Sequence, residues 1–329
     1  MSDNGRPVLD VVAAVIRRDD GRILIARRPA HLDQGGLWEF RGGKREPGEA
    51  RLEALARELD EELGIDVRRG TPLLRFTHAY PDKDVQLDIW EVTEWQGNPS
   101  GREAQTIRWI AAGALDSYEF PAANATIMTA ARLPRLLIMP SAGFVAGADF
   151  IEILERYLRS GCSAFVLPAC ASATLNACAA LARAYGATMH LADPGRKSAL
   201  PDGIGAHVPA ADLGRAPAVT RGSRVPAGLS ASVRTAEDFR RAREIGVDWI
   251  VMTDACAKPL RELPPGLQAA FAAETVPTYK SAALEFRAHT DALREGFQGV
   301  VVTDPGLETA PEVLADSFQR SLARAAVVR

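Results

Sequence analysis

The chain has 329 residues, 47% of them hydrophobic and 25% charged, with a formal net charge of −3. That length fits two domains better than one, and the composition excludes extensive disorder. The near-neutral balance gives no electrostatic basis for broad nucleic-acid or membrane binding, and no window approaches the roughly 18 apolar residues of a membrane helix. The four cysteines, Cys162, Cys170, Cys178 and Cys256, form no CxxC pair, and the five histidines fall in no zinc-finger spacing. Buried, reduced thiols in a cytoplasmic protein are therefore expected. The start, Met-Ser-Asp-Asn-Gly-Arg, leads into a short strand-like run rather than a signal peptide's apolar core.

Residues 8–17 read as a strand, and Asp19-Asp20-Gly21-Arg22 turns into a second, Ile23–Arg27. A Gly-rich loop over Gly35–Gly43 precedes a helix expected from Pro47 to Leu63. Leu52, Leu55, Ala56, Leu59 and Leu63 form its single apolar stripe, and Gly64 is its C-terminal cap. Strands are expected at Leu73–Ala79, Val85–Thr93 and Ile107–Ile110, then a helix at Ala122–Ala131. This is a mixed α/β domain over residues 1–132.

Leu133-Pro134-Arg135 marks the boundary, and a second domain is expected over residues 135–329. Apolar runs there alternate with Ala-rich helices. The runs are Leu136–Met139, Ala164–Leu167, Thr188–Leu191, Gly203–Val208, Ala227–Ser230, Trp249–Met252, Val276–Tyr279 and Gly299–Val302. The helical stretches are 148–160, 172–185, 235–245, 284–295 and 311–327. Strand–helix–strand units at this spacing predict a parallel (β/α)8 barrel, with a doubly wound sheet as the alternative.

The chemistry concentrates in residues 43–65. Gly43 is followed at fixed spacing by Glu49 and then by Arg57-Glu58-Leu59-Asp60-Glu61-Glu62-Leu63-Gly64-Ile65. A helix puts Glu58, Glu61 and Glu62 at i, i+3 and i+4, crowding three like charges on one face. Such crowding opposes helix formation unless a cation sits among the carboxylates. Oxygen-only ligands select a hard ion, Mg²⁺ or Mn²⁺, rather than zinc. A diphosphate repels nucleophiles through its negative oxygens, and a metal ion removes that obstacle. Arg57 is placed to lock the carboxylates by paired hydrogen bonds, and Gly42 and Gly43 to let the backbone come close to ions and phosphates. A solvated acidic face is the alternative for a lone ExxEE run. Chance would assemble the whole pattern less than about once in ten thousand such chains.

This segment resembles the Nudix hydrolase family, whose Gx5Ex7REUxEExGU box it meets at every specified position. Its flanks resemble the MutT branch, which removes oxidised guanine nucleotides. Trp38-Glu39-Phe40-Arg41-Gly42-Gly43-Lys44 is similar to that branch's EFPGGK run, Phe120-Pro121-Ala122-Ala123-Asn124 to its FPxAN run, and Tyr80-Pro81-Asp82 to its aromatic-Pro-Asp turn. The resemblance spans residues 8–132 and implies an α/β/α sandwich that hydrolyses 8-oxo-dGTP to 8-oxo-dGMP and pyrophosphate. It implies metal ligation by Glu58, Glu61, Glu62, Glu103 and the Gly42 carbonyl, with Glu58 or Glu103 as base. It further implies phosphate contacts from Arg28 and Lys44, a base flanked by Phe40, and an oxidised purine edge read by Asn124. Asn124 as a helix N-cap, Phe40 as core and Glu103 as a solvated loop residue stay open. Arg41 departs from the family by standing where proline precedes the two glycines.

The second half resembles the thiamine-phosphate synthase and thiazole tautomerase barrels. Asp202-Gly203-Ile204-Gly205-Ala206-His207-Val208 with Asp212-Leu213, Gly228-Leu229-Ser230-Ala231-Ser232 and Gly246-Val247-Asp248-Trp249-Ile250 carry that likeness, which implies metal-binding roles for Asp193 and Asp212. Ser232 replaces a histidine, Val166-Leu167-Pro168-Ala169-Cys170 replaces a basic run, and Thr253-Asp254-Ala255-Cys256-Ala257-Lys258 matches the family's lysine loop poorly. Tyr279-Lys280-Ser281-Ala282-Ala283 lacks the phosphate-cradling glycine pair. A barrel that keeps its fold but has lost or changed its synthase activity is expected. His207 then reads as a core or barrel-mouth residue, and Lys258 and Lys280 as surface lysines or anion ligands. Two alternatives remain: cleavage of a thiamine-related diphosphate, with the barrel holding the precursor, or a barrel that only senses a ligand or binds a partner. The oligomeric state is not readable.

Overall fold

The computed structural model describes residues 7–328 except 32–33, 104, 193–199, 201–202, 216–227, 254–258, 282–290, 294, 296 and 308–310. Two compact units emerge: residues 1–132 together with 323–329, and residues 133–322.

The first unit contains β1 (Val8–Ile16), β2 (Ile23–Arg27), β3 (Trp38–Glu39), β4 (Gly42–Lys44), α1 (Arg51–Leu63), β5 (Asp66–Ala79), β6 (Asp84–Gln96), β7 (Ile107–Ile110) and α2 (Asn124–Arg132). The chain's last strand, β16 (Val327–Val328), also belongs here. One sheet runs β16-β5-β6-β1-β4 and a smaller one β3-β2-β7. β1 is buried on both faces, and its alternation decides the layers. Val12, Ala14 and Ile16 pack with Leu52, Leu55, Leu59 and Leu63 of α1. Ala13 and Val15 pack in the opposite core with Ile127, Ala130 and Ala131 of α2. The result is an α/β/α sandwich.

Three expectations need correction. The Gly-rich stretch 35–43 is not all loop: β3 pairs with β2, and β4 with β1, Val12 opposite Gly43. The first helix begins at Arg51 rather than Pro47. Gly48 (φ +82°) turns the chain there, the Glu49 N–H donating to the Glu46 carbonyl at 3.2 Å. The last helix stops at Ala325, short of residue 327, and Val327–Val328 lie antiparallel to Arg69–Gly70 of β5.

The second unit is a closed barrel of eight parallel strands. These are β8 (Leu136–Ile138), β9 (Ala164–Pro168), β10 (Thr188–Ala192), β11 (Ile204–Val208), β12 (Leu229–Val233), β13 (Trp249–Met252), β14 (Thr278–Ser281) and β15 (Gly299–Val302). Helices around it are α3 (Ala142–Val145), α4 (Phe150–Arg159), α5 (Ser172–Tyr185), α6 (Ala236–Ile245), α7 (Pro265–Ala272), α8 (Asp304–Leu307) and α9 (Pro311–Ala325). β11 starts one residue later than expected, and two other strands start two residues later. β12 follows Gly228, whose φ is +92°. β14 follows Pro277, which has no N–H for the ladder, and the Thr275 and Val276 N–H groups already donate to the Glu274 carboxylate.

Leu137, Val166, Trp249, Val251, Tyr279 and Val301 fill the lumen in the usual layered way. One side of it is polar. His207 bonds Ser230 Oγ through Nδ1 (2.9 Å) and Ser232 Oγ through Nε2 (2.8 Å), while His190 Nδ1 lies 2.9 Å from the same Ser230 oxygen. The His190 ring packs edge-on against Trp249, and a Cβ at Gly205 would lie 2.6 Å from it. His207 is thus a satisfied core histidine. Burial first, and the neighbouring His190 second, pull its pKa down to about 3.

The unfolded imidazole binds a proton near pH 6.5, whereas the folded one stays neutral down to about pH 3. Stability from this site is therefore complete above pH 6.5 and is lost as pH falls through that window. At pH 5 the loss is ~2 kcal/mol. Urea unfolding followed by hydrogen exchange in the 229–233 strand should show that loss in the wild type and not in His207→Gln. Equal acid sensitivity of the two proteins would refute the assignment.

Candidate active site

The two glycines of β4 have separate tasks. A Cβ at Gly42, whose φ is +154°, would lie 2.0 Å from the Val12 carbonyl oxygen, so Gly42 lets β4 lie against β1. A Cβ at Gly43 would lie 2.2 Å from the Glu58 carboxylate. Gly43 is what allows α1 to press an acidic side chain onto the strand.

Arg57 organises the outer part of the cluster. Its Nε and Nη2 donate to the two Glu49 carboxylate oxygens at 3.0 and 3.2 Å, a bidentate pair. Nη1 donates to Glu58 at 2.9 Å and reaches Glu61 at 3.5 Å, and Nη2 also donates to the Lys44 carbonyl at 3.1 Å. Hydrogen bonding to Glu49, then to Glu58, holds the guanidinium firmly charged, and Arg57 in turn lowers the Glu49 pKa. Glu58 and Glu62 turn inward, whereas the Glu61 side chain is 59% exposed. The three acidic residues share a helix face, but only two of them are enclosed.

The inner part is organised by Arg41, which is 4% exposed. Its Nη1 donates to Glu39 at 2.6 Å, and its Nη2 is ion-paired with Glu62 and lies 3.5 Å from Glu103. Glu39 also pairs with Arg28, so the residue expected to meet phosphate is engaged by a carboxylate. Burial raises the Glu62 pKa to about 7 despite Arg41, with Glu58, Glu103 and Glu39 adding to the rise. The second Glu62 oxygen is buried without a hydrogen-bond partner.

A hard divalent cation suits this oxygen-only donor set, and the orphaned Glu62 oxygen is the specific feature that fits one. Among the described residues no three acidic, histidine or cysteine side chains converge as ligands of one ion. The reason is visible in the geometry: Arg57 and Arg41 stand between the carboxylates. Glu39 and Arg41 were missed as site residues by sequence reasoning. Their i, i+2 spacing beside a short strand puts both on one face, and that signal was available.

Lys44 extends from the end of β4, exposed. Phe40 is buried in the core and stacks on the half-buried Phe120, with centroids 5.6 Å apart and planes at 23°. Asn124 is the first residue of α2, half-buried, and its side-chain amide makes no hydrogen bond among the described residues. In the barrel, Asp193, Asp202, Cys256 and Lys258 lie outside the described residues. Asp212 closes a short turn after β11. Lys280 is neither a surface residue nor open to an anion: it is buried, 3.0 Å from Glu295 and over the Phe297 ring.

A family model for the NUDIX domain matches residues 12–130. The CTP pyrophosphohydrolase of Escherichia coli (strain K12) is 41% identical over 120 residues, which cover 36% of this chain and 87% of that relative. The chain belongs to the Nudix hydrolase family. The 8-oxo-dGTP diphosphatase of the same organism is 35% identical over 128 residues, covering 39% of this chain and 98% of the relative. A thiamine phosphate pyrophosphorylase structure from Pyrococcus furiosus is similar at 14% identity with a TM-score of 0.44, covering 62% of this chain and 99% of that one. This Nudix hydrolase thus acts on phosphoric anhydrides through its first unit. Among the described residues no helix is long and apolar enough to cross a membrane.

If the Gly43–Glu58 contact positions the acid, Gly43→Ala should lower phosphoric anhydride hydrolysis by at least about a hundredfold. Circular dichroism and the melting profile should stay close to those of the wild type, because Gly43 needs no positive φ. Near-normal turnover in steady-state assays would show that the contact is dispensable.

Proposed function

We propose that the chain is a nucleoside triphosphate pyrophosphohydrolase that converts 8-oxo-dGTP to 8-oxo-dGMP and pyrophosphate. The observation that carries the base preference is the uncommitted Asn124 amide, four residues after Phe120 at the start of α2. An amide offers a donor and an acceptor together, which an oxidised purine edge can match. The 8-oxo-dGTP diphosphatase relative supports the same reading.

Glu58, Glu61, Glu62 and Glu103, with the Gly42 carbonyl, would hold Mg²⁺ or Mn²⁺, which supplies charge neutralisation on the anhydride oxygens. The chain's own groups do the remaining work. Lys44 and Arg28 bind the phosphate chain, Arg28 exchanging its Glu39 partner for substrate oxygen. Arg57 fixes the Glu58 carboxylate in position. A water oxygen forms the new bond to phosphorus as the bond to pyrophosphate breaks, and Glu58 or Glu103 accepts the water proton. For the barrel we propose a retained fold with changed or absent synthase chemistry, since Ser230 and Ser232 both engage His207 inside the lumen.

A panel of 8-oxo-dGTP, dGTP and CTP with Mg²⁺ tests the reading. Glu61→Gln should slow every substrate by at least about a hundredfold. Asn124→Ala should instead reduce the preference for 8-oxo-dGTP over dGTP by about tenfold. Equal wild-type turnover of those two nucleotides would remove the sanitising role, and faster turnover of CTP would move the base reading to pyrimidines.

A further inference from the structure

The Arg41 side chain does something that the hydrolysis reading does not require. It lies inside the carboxylate cluster, 4% exposed, with one amino group on Glu39 at 2.6 Å and the other shared by Glu62 and Glu103. A guanidinium has five donors in a fixed plane and stays charged at every accessible pH. A buried cation so placed neutralises the acids around it. Its fit is nevertheless incomplete. Arg41 Nε and Glu62 Oε2 are both buried without a hydrogen-bond partner. Such unsatisfied atoms are costly in a tight site, and an arrangement that leaves two of them is poised for replacement by a better one.

We infer that Arg41 is a built-in counter-ion that fills the Glu39–Glu62–Glu103 side of the cluster and competes there with a divalent cation. This rests on the metal-site reading above. The outer side, Glu58 and Glu61, is compensated by Arg57 instead. The inner side accepts an ion when the guanidinium swings out, and a nucleotide's phosphates give that displaced charge a partner. Metal and nucleotide therefore bind cooperatively, and the free protein holds divalent ions weakly. In the free protein Arg41 is a positioning residue, acting on the carboxylates.

Mn²⁺ titration of the full chain, followed by electron paramagnetic resonance without nucleotide, reads this directly. Arg41→Met should bind Mn²⁺ at least about tenfold more tightly than wild type, or bind one more ion, because a compensating charge has been removed from the cluster. Arg41→Lys keeps the charge and should stay within about threefold of wild type. Arg41→Gln covers the case in which the methionine variant fails to fold, with the same tightening expected. A non-hydrolysable nucleoside triphosphate should tighten Mn²⁺ binding to wild type much more than to Arg41→Gln. Unchanged or weaker Mn²⁺ binding by the neutral variants, while wild type binds the ion, overturns the role of Arg41 alone. No Mn²⁺ binding by any protein, even with the nucleotide analogue, overturns the metal site and this inference with it.

Discussion

The site depends on keeping like charges together where water is scarce. Two unit charges 4 Å apart interact by about 4 kcal/mol at the effective dielectric of a protein surface, so Glu39, Glu49, Glu58 and Glu62 cannot share one wall without compensation. Arginines provide it. Arg57 ties Glu49 to Glu58 on the outside, Arg41 ties Glu39 to Glu62 on the inside, and Arg28 takes the remaining Glu39 oxygen. Each arginine is planar and multidentate, so it ties carboxylates together where a lysine would supply the charge alone. The acidic wall is therefore already balanced, and any incoming ion or anhydride acts by exchanging partners.

That balance needs an accurate scaffold. Leu52, Leu55, Leu59 and Leu63 seat α1 against β1 and β6, so the apolar stripe fixes the rotation of the helix and hence which carboxylates face β4. Pairing of β4 with β1 sets the height of the strand, and the hydrogen side chain of Gly43 leaves room for Glu58. Packing and backbone pairing thus place the charges, and the charges contribute little to the fold.

Much of this was legible in the sequence. The leucine spacing gave the rotation of α1, Gly64 its end, and the eight apolar runs gave the barrel, because each signal is local and periodic. The start of α1 was misread because Glu46 and Pro47 suit a helix, whereas the turn made by Gly48 excludes one. β3 and β4 were hidden for another reason: strands of two and three residues form only because β1 and β2 offer them edges, a tertiary effect. Arg41 was visible as a departure from the family, but its direction was not. A residue beside two glycines reads as loop and surface, and only the fold shows it inside. The fate of Lys280 was hidden in the same way, since Glu295 is its partner only once β14 is formed.

The return of Val327–Val328 to β5 has a consequence for how the protein is made. The α/β/α unit is not a continuous stretch of chain, because the barrel is spliced into it between residues 132 and 323. During synthesis, the β5 rim stays bare while nearly two hundred residues of barrel emerge from the ribosome, and a bare rim is an invitation to wrong partners. The hydrolase sheet is completed only after the barrel has been translated, so a ribosome that stalls within the barrel leaves the other unit unfinished as well.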